Sequence, residues 1–376
     1  MMKKVLFFSP TGSIHSRFNL ANINAIGELG YEIHLLANFE NGPGPEGKNE
    51  SFAQWCKEQG YYVHNMPFVR GASLKNFSLV KELKKFLRKE QFDIVHAHTE
   101  TGGLLLRLAY SAKSSSKFIY TAHGMSFWKG CPLKNRIFYK TIEKWICRGM
   151  DANLGMNQEE LSFLQKLNPK TAFYVHGIGL NLERFQKVCR LRSEVRAEFG
   201  LKEDDKFIVS VGELDDNKNH ATVIKALSLL ENREFKYVIC GVGPNRDMLL
   251  KMAEVADMKD KVILAGYRSD IPDILHAADL FVFPSFHEGL PVSALEAMAC
   301  GLPVICSRIR GNVDIVKDGE NGFLFEPEDD TTLVLQIERL INSQELARRF
   351  GEKNKQIVRE FSQEAVVEEL MKLYSI

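Results

Sequence analysis

Short apolar runs of three to six residues recur along the whole chain, and segments with helical spacing such as His220–Leu230 and Arg246–Ala256 separate them. Most of these runs are continuously apolar, which is typical of strands buried on both faces of a parallel sheet. Their alternation with helices predicts βαβ units in doubly wound parallel sheets. The predicted strands are Lys4–Phe8, Glu32–Ala37, Tyr62–Asn65, Ile94–Ala97, Lys117–Thr121, Ala152–Gly155, Ala172–Val175, Phe207–Val211, Tyr237–Cys240, Val262–Ala265, Leu280–Phe283, Val304–Cys306 and Gly322–Phe325.

The length of the chain divides this pattern between two domains, because 376 residues exceed what a single core usually holds. A polar, charged stretch over about residues 180–205 separates the two sets of strands. We therefore predict an α/β protein with two Rossmann-like domains, residues 1–185 and 186–360. A last helix at residues 361–376 completes the chain, and our hypothesis is that it packs back on the first domain.

Charge is distributed unequally between the two predicted domains. Residues 1–185 contain 24 Lys and Arg against 15 Asp and Glu, a net charge of +9, and the remainder contains 25 against 33, a net charge of −8. Opposite signs indicate domains with different partners, although chance variation of surface charge would give the same pattern.

Cysteine usage and hydropathy exclude several classes of protein. The seven cysteines lie far apart without a C-x-x-C pair, which favours a reducing cytoplasm over a disulfide framework or a zinc site. The apolar run near the N-terminus is too short for a signal peptide, and no run approaches the roughly 20 apolar residues of a membrane span. We expect a cytoplasmic protein.

Ligands of open parallel sheets bind beyond the carboxyl ends of the strands, so the loops after the strands are the first candidates for a site. Gly212 permits a tight turn after one strand, and Lys218 then stands just before the helix near His220. A lysine at such a helix start can hold a phosphate together with free backbone N–H groups. A solvated polar loop is the alternative interpretation.

Glycine spacing argues against a nicotinamide site. The loop after the first strand contains only Gly12, and the loop at Gly241–Pro244 lacks the third glycine of G-x-G-x-x-G. The loop at Gly266–Arg268 ends another predicted strand, and its backbone could form hydrogen bonds with a nucleotide base.

Two acids flank a turn in the segment SFHEGLPVSALEAMACGLPVI, residues 285–305. Gly289 and Pro291 prevent one helix from running through both, so Glu288 is predicted in a loop and Glu296 in the helix. Free N–H groups at that helix start would face an anion. A carboxylate among apolar neighbours needs partners, since burial without them is costly. Bonding of Glu296 to nearby backbone or an arginine is the alternative to a ligand role.

Together these motifs resemble the donor-binding half of the retaining glycosyltransferases of family 4. The spacing of Glu288 and Glu296 matches the E-x7-E signature, and the order of VGEL, NKNH, ICGVGP, LAGYRSDIPDILHAADLFVFPS and NGFLF matches as well. HAHTETGG and YTAHGMSFWKG in the first half resemble members that build bacterial surface polysaccharides. The resemblance implies the GT-B fold, in which two Rossmann-like domains face each other across a cleft.

The resemblance implies roles for residues of the second half, the nucleotide-sugar-binding domain. Glu296 would bind the ribose hydroxyls, and the loop at Tyr267–Arg268 would hold the base. Glu288 with Gly289–Leu290 would contact the donor sugar and the diphosphate, and Lys218 beside Gly212 would meet the diphosphate. Glu288 and Lys218 are therefore expected to be catalytic, and the others to bind the donor.

The first half would be the acceptor-binding domain. There the resemblance implies that His123 points at the donor sugar as a catalytic residue, and that the Gly12–Ser13 loop approaches the reacting centre. One residue departs from the pattern: many members have an arginine on phosphate where this chain has Glu213. Lys218 would then carry more of the phosphate contact, or Arg17 would assist.

The implied reaction is retaining transfer of a hexosyl or N-acetylhexosaminyl group from a UDP-sugar to a saccharide acceptor. Negative charge that grows on the diphosphate would be stabilised by N–H groups, a helix N-terminus and Lys218. We expect no cofactor and no metal requirement, and the chain contains no D-x-D motif. Front-face attack, with the donor phosphate helping to take the acceptor proton, needs no enzymic nucleophile.

Two basic segments of the first half suggest an anionic membrane surface or a polyprenyl-diphosphate-linked acceptor. Leu79–Lys89 contains five Lys and Arg, and Phe127–Arg148 contains six together with five aromatic residues. The alternative is that the aromatic residues pack in the core and the cations are only solvated. We hypothesise a cytoplasmic enzyme that is peripheral on the inner face of the membrane.

Two other functions stay open at this point. A nucleotide-sugar epimerase of the same fold would use the donor without an acceptor, and a non-catalytic nucleotide-sugar-binding protein would keep the site without turnover. The set of Glu288, Glu296, Lys218 and His123 argues against the second. Nucleic-acid binding has no motif behind it.

Overall fold

The structure is a computed structural model that describes residues 2–40, 48–69, 71, 73–109, 115–128, 130–202 and 204–375. The chain forms two compact units. The first contains Met1–Gly179 and Gln363–Ile376, and the second contains Leu180–Ser362.

Seven strands form the sheet of the first unit, in the order β3-β2-β1-β4-β5-β6-β7. All of their pairings are parallel, as the continuously apolar runs predict. The strands are β1 Lys4–Thr11, β2 Glu32–Asn38, β3 Tyr62–Asn65, β4 Ile94–His98, β5 Lys117–Thr121, β6 Ala152–Gly155 and β7 Ala172–Tyr174.

Six strands form the sheet of the second unit, in the order β10-β9-β8-β11-β12-β13, again with parallel pairings. Every predicted strand is present, with ends that differ by at most three residues, so the predicted fold of two doubly wound sheets is confirmed. The strands are β8 Lys206–Val211, β9 Phe235–Cys240, β10 Val262–Gly266, β11 Leu280–Phe283, β12 Val304–Ser307 and β13 Gly322–Phe325.

Helices connect the strands in both units. In the first unit they are α1 Gly12–Ile14, a π-helical turn at His15–Asn19, α2 Leu20–Glu28, α3 Lys48–Glu58, α4 Leu74–Glu90, α5 Thr99–Ala109, α6 Leu133–Cys147, α7 Gln158–Leu167 and α17 Gln363–Ser375. In the second unit they are α8 Leu182–Gln186, α9 Arg192–Glu198, α10 His220–Ser228, α11 Arg246–Val255, α12 Ile271–Ala277, α13 Val292–Ala299, α14 Asn312–Ile315, α15 Asp330–Ile341, α16 Gln344–Ile357 and a 3₁₀ turn at Val358–Phe361.

Each sheet is covered by apolar helix faces on both sides. In the first unit, α4, α5, α6 and α7 pack in one buried cluster and α2, α3 and α17 in the other. In the second unit, α8, α9, α12 and α13 pack on one side and α10, α11, α15 and α16 on the other. Burial on both faces explains why the strands are continuously apolar.

The first unit includes the last helix of the chain. The Tyr374 hydroxyl of α17 lies 2.6 Å from His96 Nδ1, and Lys117 Nζ donates to the Leu373 carbonyl at 2.6 Å. The units divide after Gly179 and Ser362, whereas the sequence placed the boundaries after residues 185 and 360. The short helix α8 lies after the observed boundary and reaches past the predicted one, and its Phe185 packs in the core of the second unit.

Over the part of the chain that the structure describes, no helix combines the length and the apolar character needed to cross a membrane.

Candidate active site

The predicted site residues follow strands next to the point where each sheet reverses its strand order. In the first sheet β1 lies between β2 and β4, and in the second β8 lies between β9 and β11. The crevice beyond the carboxyl ends at such a switch point is where open parallel sheets bind ligands. Gly12 follows β1, Gly212 follows β8, and Glu288 lies in the loop after β11.

Lys218 and Glu288 form an ion pair in the second unit. Lys218 Nζ lies 2.6 Å from Glu288 Oε1, and both side chains are largely buried. The ammonium also lies 5.2 Å from the centre of the Phe283 ring. A side chain at Gly212 would crowd the lysine, since a Cβ there would lie 3.2 Å from Lys218 Cδ. The structure therefore brings three predicted residues into one cluster.

Two asparagines hold the loop of Lys218 against the loop of Glu288. The carbonyl of Asn217 accepts from Phe286 N at 2.8 Å, and its side-chain Nδ2 donates to the His287 carbonyl at 3.1 Å. Asn219, in the left-handed region with φ of +53°, donates from Nδ2 to the Pro284 carbonyl at 3.1 Å. Left-handed backbone is uncommon outside glycine, and asparagine tolerates it best.

Glu296 is the fifth residue of α13, among neighbours that belong to the core. No described residue forms a hydrogen bond or an ion pair with its partly exposed carboxylate, so the expected protein partner is absent. Burial raises the pKa of this carboxyl to about 7, and the charge of Arg184 acts in the opposite direction. The group is therefore an acceptor with free capacity for a ligand.

Free donors lie at the start of α13. The N–H of Val292 bonds to the Leu290 carbonyl at 3.0 Å. The N–H groups of Leu290 and Ser293 donate to no described residue. Arg310, from the loop after β12, donates from Nε to the Glu288 carbonyl at 3.1 Å. Two cations and two free N–H groups thus surround the turn between the glutamates.

The loop after β10 carries an exposed tyrosine and a paired arginine. Tyr267 is 76% exposed, and Gly266 before it has φ of +68°. The Arg268 guanidinium is held by Asp270 at 2.6 Å and Glu198 at 2.7 Å, and these carboxylates raise its pKa. The Arg268 side chain is therefore occupied within the protein, and the backbone is the part that can meet a base.

The predicted residues of the first unit lie at two strand ends. Gly12 begins α1 directly after β1, and a Cβ there would lie 2.7 Å from Phe39 Cδ1, so glycine is required. The Ser13 hydroxyl is buried 3.1 Å from Thr11 Oγ1. Arg17 is exposed on the π-helical turn.

His123 follows β5 and lines a cavity of about 360 Å³ in the first unit. Its φ of +58° and the φ of +69° at Thr99 are left-handed, a strained conformation that clusters at functional sites. The His123 Nε2 atom lies 2.9 Å from His98 Nδ1. Glu100 also lines the cavity, and Oε1 accepts from Ser126 N at 2.6 Å.

Four histidines lie close together in the first unit, and burial lowers the pKa values of His15 and His123 to about 4 and of His96 to about 3. Burial also holds the pKa of His98 well below its usual range. All four imidazoles are therefore neutral near pH 7.

Both halves of the chain match known families. Residues 192–357 match the family described as "Glycosyl transferases group 1", and residues 4–154 match "Glycosyl transferase 4-like". The "Putative glycosyltransferase EpsD" of Bacillus subtilis (strain 168) is 33% identical, over 100% of this chain and 97% of that protein. The chain belongs to the group 1 glycosyltransferases.

Other relatives of this glycosyltransferase agree with that membership. The "UDP-Gal:alpha-D-GlcNAc-diphosphoundecaprenol alpha-1,3-galactosyltransferase" of Escherichia coli is 29% identical over 89% of this chain and 90% of that protein. The crystal structure of Anabaena Alr3699/HepE in complex with UDP and glucose has a TM-score of 0.78 at 17% identity and covers 99% of both chains. This structural likeness shows the fold, which is the GT-B fold that the resemblance implied.

The glycosyltransferase site contains residues that the sequence did not single out. Asn217 joins two loops, Arg310 contacts the Glu288 backbone, and His98 contacts His123. Asn217 lies in the quoted NKNH and His98 in the quoted HAHTETGG, so both motifs were noticed without their contacts. No sequence motif pointed to Arg310, because its loop lies 22 residues beyond Glu288.

Proposed function

We propose that this glycosyltransferase moves a sugar, with retention of anomeric configuration, from a UDP-sugar to a polyprenyl-diphosphate-linked saccharide in cell-surface polysaccharide synthesis. The observation that carries the proposal is the turn between Glu288 and Glu296. A lysine–glutamate pair lies before the start of α13, and the first two turns of this helix carry N–H groups and a Glu296 carboxylate without partners among the described residues. The names of the relatives support the substrates, since the Escherichia coli protein uses UDP-Gal and a diphosphoundecaprenol-linked acceptor.

The donor nucleotide is assigned to the second unit. Glu296 would accept hydrogen bonds from the ribose hydroxyls, because its carboxylate has no partner within the described residues. The exposed backbone at Tyr267–Arg268 would hold the base. UDP in the Anabaena structure, a protein with the same fold, supports a uridine nucleotide.

Charge stabilisation is the main chemical task at the Glu288 turn. When the bond between the anomeric carbon and the diphosphate oxygen breaks, the electron pair stays on the diphosphate. Lys218, the N–H groups of Leu290 and Ser293, and Arg310 would stabilise that charge. The acceptor oxygen forms the new bond on the same face, and its proton passes to a donor phosphate oxygen. This route needs neither an enzymic nucleophile nor a metal.

The acceptor saccharide is assigned to the cavity of the first unit. Its wall combines the Glu100 carboxylate and the Ser126 hydroxyl with Phe18, Phe138 and Tyr139. Polar groups that fix orientation on a largely apolar wall are the usual composition of a ligand site.

The surface of α6 suits an anionic membrane. Leu133, Ile137, Phe138 and Trp145 are 69%, 60%, 55% and 41% exposed. The exposed charged residues of α6 are lysines and one arginine, whereas its single acidic residue, Glu143, is buried. Apolar side chains interleaved with cations bind membrane interfaces. By contrast, the apolar residues of the other basic segment, Leu79–Lys89, pack in or against the core of the first unit.

A donor screen tests the function. Release of nucleoside diphosphate would be measured with several UDP-sugars and a lipid-diphosphate-linked saccharide. We expect release to depend on both substrates, and the product linkage to retain the donor configuration. Conversion of the donor without acceptor would instead identify an epimerase, and nucleotide binding without turnover would identify a binding protein.

Vesicle flotation tests the membrane part. We expect the protein to bind vesicles that contain anionic lipid, and the double variant Ile137→Ser, Trp145→Ser to bind less. A control variant on an exposed apolar residue of the second unit, Val255→Ser, should bind normally. Equal binding to neutral and anionic vesicles would contradict this surface.

A further inference from the structure

The contact between His98 and His123 determines which nitrogen of His123 carries its proton. The two atoms 2.9 Å apart are His98 Nδ1 and His123 Nε2, so one of them must donate and the other accept. The second nitrogen of His98, Nε2, is buried and has no partner among the described residues. Because Nε2 has no partner, the two possible directions of the hydrogen bond between His98 and His123 differ in energy.

In the first arrangement, His98 Nδ1–H donates to His123 Nε2. His98 Nε2 is then a bare lone pair. In the second, His123 Nε2–H donates to His98 Nδ1, and the proton of neutral His98 must sit on Nε2. That arrangement buries an N–H without an acceptor, which costs about 1–3 kcal/mol, and orphaned buried N–H groups are rarer than under-satisfied acceptors.

We propose that His98 is a positioning residue that holds neutral His123 as its Nδ1–H tautomer, so that His123 serves the sugar substrate as a hydrogen-bond donor and not as a base. Its only lone pair, on Nε2, is used by His98. Its Nδ1 has no hydrogen bond within the described residues, and the imidazole lines the cavity of the first unit. The role of His123 as a donor to the sugar rests on the proposed function. The tautomer of His123 follows from contacts within the protein and does not depend on that function.

The surroundings keep this pair fixed. His98 ends β4 and is 2% exposed, and the ring of Phe7 stacks on it at 6.1 Å. His123 is held by left-handed backbone and by the ring of Phe18 at 5.8 Å. These contacts hold the two imidazoles next to each other, so the hydrogen bond between them selects the tautomer.

Nitrogen-15 NMR of the full chain labelled at histidine tests the tautomer directly. Two-bond proton–nitrogen correlations distinguish a protonated ring nitrogen from a bare one, and the variants His98→Asn and His123→Asn assign the signals. We expect a protonated Nδ1 and a bare Nε2 for His123. The reverse pattern would overturn the proposal. A protein that transferred no sugar would still give this spectrum. Failure of the proposed function can therefore be distinguished from failure of the tautomer proposal.

Variants at position 98 then test whether His98 positions His123 for sugar transfer. His98→Asn keeps a donor at the δ position and should retain the tautomer and most of kcat. His98→Leu removes it, and we expect kcat to fall about tenfold, with the KM for the nucleotide sugar unchanged. The chain offers a matched control in His34 on β2 of the same sheet, whose Nδ1 lies 2.9 Å from Nε2 of His64 on β3.

His34→Leu should change kcat less than about twofold, since neither residue of that pair lines the cavity. Equal losses in His34→Leu and His98→Leu, or no recovery in His98→Asn, would show a purely structural role and overturn the positioning role.

Discussion

Replacing Glu296 with glutamine should separate the stability of the free protein from its ability to bind the donor. Glutamine keeps the shape of the side chain and removes only the charge. In the free protein the carboxylate has no partner among the described residues. In the complex, by our proposal, it accepts hydrogen bonds from the ribose. The substitution should therefore act with opposite sign on the two properties.

The effect on stability follows from the raised pKa. The carboxyl of Glu296 has a pKa of about 7 in the folded chain against an ordinary value of 4.5. Between these values the folded state keeps a proton that the unfolded state has released, so ionisation costs stability progressively as pH rises from 4.5 to 7. The full cost above pH 7 is at most about 3 kcal/mol, and about 1–2 kcal/mol once solvent screening of this partly exposed group is allowed for.

The effect on donor binding has the opposite sign. Hydrogen bonds to a charged group contribute roughly 1.5–3 kcal/mol, so Glu296→Gln should weaken UDP binding about 10- to 100-fold. Affinity of the natural protein should rise with pH through about 7, because the carboxylate form accumulates there. The variant should show no such rise.

Chemical denaturation and titration calorimetry with UDP, each at pH 4.5, 6 and 8, measure both effects. We expect Glu296→Gln to be more stable than the natural protein at pH 8 and equal to it at pH 4.5. Glu345→Gln, a change of an exposed glutamate on α16, is the control and should alter neither property. A loss of stability in Glu296→Gln at pH 8, or unchanged UDP affinity, would refute the reasoning.

Three further predictions concern the same unit. Lys218→Ala should lower kcat/KM for the donor at least tenfold, since it removes a cation paired with Glu288 at 2.6 Å; unchanged steady-state kinetics would contradict this. EDTA should leave the rate of nucleotide release unchanged, because by our proposal Lys218 and N–H groups supply the stabilising charge; loss of activity with recovery on adding Mg²⁺ would contradict it. Gly241→Ala should lower the free energy of unfolding by about 3 kcal/mol, because its Cβ would lie 1.8 Å from the Gly212 carbonyl oxygen. The control Gly102→Ala, with no neighbour closer than 3.6 Å, should be near neutral in the same denaturation assay.

Most of the fold could be predicted because one physical pattern repeats. A strand covered on both faces must be apolar at every position, and such short runs stand out between amphipathic helices. Ends were less certain: β1 continues to Thr11, three residues beyond the predicted Phe8, although Ser9 and Pro10 interrupt the apolar run. Pairing with β2 resumes at Thr11 after a register shift, a contact between distant residues that a local pattern does not contain.

The candidate site could be proposed from the sequence where its residues lie in local motifs, but the contacts that depend on strand pairing could not. Lys218 and Glu288 lie in loops that follow strands, and Glu296 follows Glu288 at the E-x7-E spacing, so sequence order alone could point to all three. The contact of His98 with His123 depends on the register that places β4 beside β5, where His98 is opposite Thr121. The lack of a partner for the Glu296 carboxylate among the described residues likewise depends on the tertiary fold, which decides which side chains come near it.

By our proposal, the acid at position 213 changes how the charge of the diphosphate would be met. Glu213 is exposed in the loop after β8, where the resemblance described above implied an arginine, so this position supplies no cation. Lys218 spends one of its three N–H donors on Glu288, and two donors are left for a diphosphate. Arg310 reaches the same turn from the loop after β12, where its Nε donates to the Glu288 carbonyl. By our proposal this arginine is the second cation that meets the diphosphate, and it comes from the opposite side of β11 from Glu213.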